Sequence, residues 1–203
     1  VGRSIYDFYI EEFAGVDPET GKPLWWMDVT EGTDDDGNPI VVGREKTDNY
    51  SLAGRYYLGS SIPDLLGGIT NSFAFRNFDL SVFVTFGLGG KTYDTSYQGL
   101  LHGGTAGNHF HADILNRLTP DNTDTDVPKL DMSQNFNARS SRFLFDSDYL
   151  SLRSVTLGYT LPQSALQAVG FRRARVFVTA TNLHTFTTLK GMDPQQSLDG
   201  TVG

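Results

Sequence analysis

Two long runs near the end of the chain alternate apolar and polar residues with a period of two. In Tyr149–Leu161, Val155, Leu157, Tyr159 and Leu161 fall on one side of an extended chain, and Thr156, Gly158 and Thr160 on the other. In Arg173–Thr188, Val176, Val178 and Ala180 oppose Arg175, Thr179 and Thr181. Pro162–Gly170 lies between them: the proline stops the first strand, helix-tolerant residues follow, and Gly170 offers the left-handed position that closes a helical turn. The unit predicted is an antiparallel hairpin. Leu150 and Leu152 sit on the wrong side for this alternation, which requires either a β-bulge near Arg153-Ser154 or a strand end that projects beyond its surroundings.

A second hairpin is predicted from Ile69–Arg76 and Phe78–Leu88. On the latter, Phe78, Leu80, Val82, Val84, Phe86 and Leu88 share one face and Asp79, Ser81, Thr85 and Gly87 the other, with Phe83 the exception. On the former, Ile69, Phe73 and Phe75 oppose Thr70, Ser72 and Ala74, with Asn71 the misfit. Only Arg76-Asn77 separates the runs, so the turn is tight. Near the start, Val1–Val16 is β-prone and aromatic, Asp17–Pro23 is a reversal, and Leu24–Val29 is a candidate return strand. Thr30–Ser60 and Gly89–Ser141 read as long polar loops, the second with a short helix near His111–Leu118.

About five strands are visible, too few to close a barrel, since even small ones need about eight. The long loops lie at one end of the hairpins and the short connections at the other, the asymmetry of outer-membrane barrels. Parity then puts Gly15–Ile62, Gly89–Ser141 and Leu189–Gly203 outside the cell.

Composition sharpens this picture. The chain of 203 residues holds 22 glycines and 12% aromatic residues, which fits a β-protein with many turns. No apolar run of helical membrane-spanning length exists, but a transmembrane strand needs only about 9–11 residues with every second one facing lipid. The net charge of −8 argues against nucleic-acid binding. Zero cysteines exclude a disulfide framework, a thiolate metal site and a cysteine nucleophile. The chain opens at Val1 and closes in a Gly/Asp-rich loop at Gly203, as a segment of a longer protein would.

Little in the sequence carries bond-making chemistry. Asp34-Asp35-Asp36-Gly37-Asn38 with Glu45 has some of the spacing of a calcium loop, yet Pro39 stands where the sharp turn requires glycine, so the loop reads as a solvated acidic one. His102, His109 and His111 are close in sequence, but no supporting carboxylate can be assigned although Asp113 is near, and a surface loop is the reading. Glu11 and Glu12 are adjacent and point to opposite faces of a strand. With no nucleophile elbow, phosphate loop or zinc-protease motif, no enzyme, cofactor or metal is expected. Aromatics in or beside the outer loops, Trp25, Trp26 and Tyr97 above all, are candidates to contact a substrate or partner protein through their flat faces; an interfacial girdle or ordinary packing is the other reading.

Several phrases carry a resemblance. Tyr149–Pro162, then Arg175-Val176-Phe177-Val178 leading to Thr181-Asn182-Leu183-His184-Thr185-Phe186-Thr187, then Lys190-Gly191-Met192-Asp193-Pro194, resemble the C-terminal signature of SusC-like (SusC/RagA) TonB-linked outer-membrane receptors. Ser4–Tyr9 with Gly15-Val16-Asp17-Pro18, and Ile62–Gly68, are similar to the same family. The resemblance implies an all-β, antiparallel up-and-down transmembrane barrel of about 22 strands around a plug, of which residues 1–203 would be a C-terminal part without plug or last strand. It further implies import of oligosaccharides or peptides across the Gram-negative outer membrane. The expected partners are a SusD-like lipoprotein lid, outer-membrane lipid and the TonB complex, the last through parts of the protein outside this chain. The alternative is a secreted β-sandwich that binds carbohydrate through the loop tryptophans. The two differ on whether the apolar faces of Phe78–Leu88 and Val155–Leu161 meet lipid or a second sheet.

Overall fold

The computed structural model describes residues 2–132, 135–167, 170–189, 191–195 and 201–202. Ala168 and Val169 of the predicted turn, and Lys190, 196–200 and Gly203 of the predicted closing loop, lie outside these. The chain divides into two compact units, one of residues 1–61, 91–145 and 196–203, the other of 62–90 and 146–195.

In the first unit the strands are β1 (Asp7–Glu11), β2 (Phe13–Val16), β3 (Pro23–Thr33), β4 (Pro39–Thr47) and β5 (Arg55–Ser60). The second contributes β6 (Leu65–Phe75) and β7 (Phe78–Leu88). The chain then returns to the first for β8 (Lys91–Asp94), helix α1 (Thr95–Leu100) and β9 (Leu144–Asp146). After β10 (Tyr149–Thr160), helix α2 (Gln163–Leu166) and β11 (Arg175–Thr187) comes the short β12 (Thr201–Val202).

The second unit is one antiparallel sheet in the order β11-β10-β7-β6. Both predicted hairpins are present, and β6 starts at Leu65, earlier than the sequence alternation showed, because Leu65 and Leu66 pair with Leu88 and Gly87. The β6–β7 turn puts Arg76 at φ 53°, and Gly170 closes the β10–β11 connection at φ 74°.

The misplaced leucines are resolved by a bulge. The register of β10 slips between Leu152 and Ser154 against both neighbours. Against β7 the extra residue is Arg153; against β11, Asn182-Leu183 face that single position, and Asn182 takes φ 51°, a left-handed conformation that Asn tolerates. Each slip shifts the pleat by one residue and moves side chains to the other face. Leu150 and Leu152 thereby join Val155, Leu157 and Tyr159, opposite Phe86, Val84, Val82, Leu80 and Phe78 on β7.

The result is a continuous apolar face, and it is uncovered. Leu65, Ile69, Phe73, Phe75, Leu157, Val176, Val178 and Phe186 are all exposed. The opposite face is mostly polar, although Leu66, Phe83 and Phe177 also lie on it: Ser151 and Thr185 share a 2.9 Å hydrogen bond, as Thr156 and Thr179 do at 3.0 Å. Near the short-turn end, Arg175 Nε donates to Asp79 at 2.9 Å, and Nη2 donates to its second oxygen. Gly158 lies under that pair; a Cβ there would meet Arg175 and Asp79 atoms at 2.3–2.6 Å.

The first unit is where the structure departs from the sequence reading. Thr30–Ser60 is no loop: β3 continues to Thr33, Asp34–Asn38 turns the chain, and β4 and β5 follow. Gly89–Ser141 holds β8, α1 and a 3₁₀ turn at Ala112–Asn116, and it supplies most of a hydrophobic core. Phe8 and Ile10 of β1 pack there with Tyr93, Leu101, Ile114, Val127, Phe136 and Phe143. The sheets are β1-β5, β2-β3-β4 and β12-β8-β9. Asp94 caps α1 by accepting the Tyr97 backbone N–H at 2.7 Å.

Candidate functional site

Adjacent residues of a strand point to opposite faces, so Trp25 and Trp26 are separated by β3 itself. Trp25 goes inward, only 2% exposed, with its ring edge-on to Tyr50 at 5.1 Å. It is a packing residue, and its part in any contact is to hold the strand that carries Trp26. Trp26 faces outward and is half-buried.

On that outward face the register sets Trp26 opposite Lys46 and Asp28 opposite Arg44. The Arg44 guanidinium lies 5.0 Å from the Trp26 ring centre and 4.1 Å from that of Tyr56; the Lys46 ammonium is 5.4 Å from Trp26. Glu12 accepts a hydrogen bond from Arg44, and Tyr56 Oη donates to Asp28 Oδ1 at 2.6 Å. Hydrogen bonding to Glu12 raises the Arg44 pKa, and burial with the bond to Asp28 raises that of Tyr56, so both stay protonated. The group is a preordered cation–aromatic platform on the unit's surface. Tyr56 is one of the outer-loop aromatics the sequence offers as a contact, whereas sequence reading missed Arg44 and Lys46 because their strand lay inside a presumed loop; the alternation of Arg44 and Lys46 around Glu45 was the available signal.

Tyr97 sits elsewhere. It is half-buried on α1, edge-on to Phe143, Phe145 and His111 at 6.0, 5.8 and 4.8 Å, and its hydroxyl donates to Asp113 Oδ2 at 2.8 Å. Burial, then the Asp113 carboxylate, pushes its pKa up. Among the described residues no ring contact joins Tyr97 to either tryptophan.

The histidines are placed one by one. His102 is buried, stacked on Phe110 at 4.1 Å; its Nδ1 accepts the backbone N–H groups of Gly104 and Thr105, which leaves Nε2 to donate to the His109 carbonyl at 3.3 Å. His111 Nδ1 accepts from the Asp113 backbone. Among the described residues no three His, Asp or Glu side chains are grouped to hold a metal. At the acidic turn, Asp34 Oδ1 accepts the N–H groups of Asp36 and Asn38, closing the β3–β4 hairpin.

In the second unit the polar sheet face centres on the bulge. Arg153 Nε donates to Thr85 Oγ1 at 3.3 Å and Nη1 to Asn182 Oδ1 at 3.2 Å; Nη2 also bonds Gln195 Oε1. One face of this sheet is thus fit for hydrocarbon and the other for water or polar cargo.

No family model matches the chain. Known proteins do. TonB-dependent receptor P3 of Formosa agariphila is 31% identical over 96% of this chain and 19% of that protein. TonB-dependent receptor SusC of Bacteroides thetaiotaomicron is 25% identical over 96% of this chain and 17% of its own length. Among solved structures, the RagAB peptide transporter superposes with a TM-score of 0.77 at 29% identity, over 97% of this chain and 21% of that one. The RagAB peptide importer in its 'open-open' state gives 0.72 at 28% identity, over 96% of this chain and 20% of that one. Fold and likeness together define a piece of an antiparallel receptor β-barrel with its loops. Within that class the chain is similar, over nearly its whole length, to the SusC-like TonB-dependent receptors, and it spans about one fifth of the length of the relatives it matches.

Proposed function

We propose that the chain is a C-terminal part of the barrel of an outer-membrane receptor that imports oligosaccharides or peptides, driven by the TonB complex and lidded by a SusD-like lipoprotein. The observation that carries this reading is the β11-β10-β7-β6 sheet, with one continuous exposed apolar face and one hydrogen-bonded polar face. A β-sandwich would bury the apolar face under a second sheet; here its large side chains are open. In this reading the apolar face meets lipid, the polar face lines the lumen, and the turns at Arg76-Asn77 and Pro162–Gly170 are periplasmic. Gly15–Ile62 and Gly89–Ser141 are then extracellular, and Trp26 with Arg44 and Tyr56 is the surface offered to the lid or cargo. The relatives support the direction of the inference: one is a peptide transporter by name.

The test is uptake by cells carrying the full-length receptor. Fluorescently labelled oligopeptides and oligosaccharides are supplied, and accumulation is compared with a strain lacking the receptor, with and without an uncoupler. Receptor-dependent, uncoupler-sensitive accumulation of one class supports the reading; accumulation of neither class above the receptorless strain would overturn it.

A further inference from the structure

Beyond β11 the chain folds back on its own sheet. Leu189 is buried, and its backbone N–H donates to Thr187 Oγ1 at 3.2 Å, so the segment that follows is rooted on the last residue of the strand. Gly191, at φ 79°, takes the left-handed conformation that reverses direction without a steric penalty. Asp193 Oδ1 then accepts the Gln195 backbone N–H at 3.0 Å across Pro194, an Asx turn stiffened by proline. Met192, Pro194 and Gln195 are half-buried while Gly191 and Asp193 are exposed, so one side of the segment rests on protein. The described part of 189–195 is a strap with a root, an elbow and a tip.

The tip is held by a single side chain. Arg153, the additional residue of the β10–β7 bulge, sends its guanidinium to the polar face, where Nε donates to Thr85 Oγ1 at 3.3 Å and Nη1 to Asn182 Oδ1 at 3.2 Å. Those two bonds, one to β7 and one to β11, fix the plane of the group and aim Nη2, which donates to Gln195 Oε1. Among the described residues this is the only hydrogen bond from 191–195 to the sheet. All three acceptors are neutral oxygens, and among the described residues Arg153 belongs to no salt bridge. The bond to the strap is therefore weaker than a guanidinium–carboxylate fork, and a change of the Gln195 rotamer breaks it with the sheet undisturbed. A fixed cation on the sheet thus meets a releasable neutral acceptor on the strap.

We infer that 189–195 is a hinged strap, rooted at Leu189 and closed onto the polar face by the Arg153–Gln195 bond, which swings away as a unit when that bond opens. The catch stands whatever the receptor imports; on the import reading the polar face lines the lumen, and the strap is a movable part of its wall. The test is hydrogen–deuterium exchange of the full-length receptor in detergent, a readout that involves no transport and so fails separately from the import reading. Q195A and R153Q each speed deuterium uptake by 189–195 about tenfold, the effect of losing one hydrogen bond to a charged group, and the β7 and β10 amides keep wild-type exchange. The double variant is no faster than either single one, because both remove the same bond. Q195E, which sets a carboxylate against the guanidinium, slows uptake below wild type. Wild-type exchange in Q195A, a double variant faster than both singles, or acceleration by Q195E overturns the inference. So does a rise in R153Q confined to β7 and β10, which would make Arg153 a support of the sheet alone.

Discussion

At the scale of single residues, the two adjacent tryptophans show how strand geometry divides the labour of one side-chain type. Trp25 is in the interior and Trp26 on the surface, so W25A removes buried indole and leaves a cavity, at a cost of about 3–5 kcal/mol. W26A is expected to cost under about 1 kcal/mol. Hydrogen exchange of the β2–β4 amides, the strands that Trp25 pairs with, in the full receptor separates them: W25A accelerates exchange and W26A leaves it near wild type. Because Trp25 Nε1 is buried with no hydrogen-bond partner among the described residues, W25F loses less than W25A, keeping most of the packing and removing the unmatched donor. Glu11 makes a second prediction. Burial, the largest single influence, would raise its pKa, but the Arg55 hydrogen bond at 2.8 Å, a backbone hydrogen bond and the Arg55 charge together outweigh it, and the folded-state value lies below the ordinary 4.5. A depressed carboxylate stabilises the fold fully above its unfolded-state value and progressively less as pH falls through the folded one. Protection of the β1–β5 amides is therefore expected to hold at pH 6 and to drop below about pH 4, and E11Q removes that pH dependence.

At the scale of elements, legibility followed periodicity. The hairpins β6–β7 and β10–β11 were readable because a strand with one apolar face repeats every two residues, and the break at Leu150 and Leu152 was itself a signal. The bulge explains it: Arg153 is the additional residue that returns both leucines to the face of Val155. Deleting Arg153 closes the β10–β7 slip with Leu150 and Leu152 still on the face of Val155, and leaves Asn182-Leu183 of β11 with no residue opposite. The expected outcome is a modest loss of folded full-length receptor in the outer membrane, confined to the β10–β11 mismatch and read from the heat-modifiable band on gels, and R153Q, which keeps the register, retains the band in full. The first unit was not readable in this way. Its core draws Phe8 and Ile10 from one strand and Leu101, Val127 and Phe136 from irregular segments, where burial is set by long-range packing and no local period announces it. Arg142 illustrates the same limit: it lies against the rings of Phe13, Phe136 and Phe143, and burial lowers its pKa to about 10. A polar residue in that sequence context reads as surface.

At the scale of the whole molecule, the decisive quantity is the environment of the apolar face of β6, β7, β10 and β11, since exposed aromatic and branched side chains on every strand of a sheet are unfavourable in water and favourable in lipid. Val82 and Ser81 test this within one strand. They are neighbours on β7, pair with Val155 and Thr156 of β10, and project to opposite faces. Against hydrocarbon an arginine costs about 2–4 kcal/mol near the bilayer midplane, and a lumen-facing one costs far less because water reaches it. In the full-length receptor V82R is therefore expected to reduce the folded, membrane-inserted fraction strongly, and S81R to leave it near wild type. Both are read by the heat-modifiable band and by outer-membrane yield. Equal tolerance of the two would mean that neither face meets lipid. Equal damage would mean that both faces are packed, as in a sandwich with a second sheet, and the polar pairs Ser151–Thr185 and Thr156–Thr179 would then belong to an interior and not to a lumen.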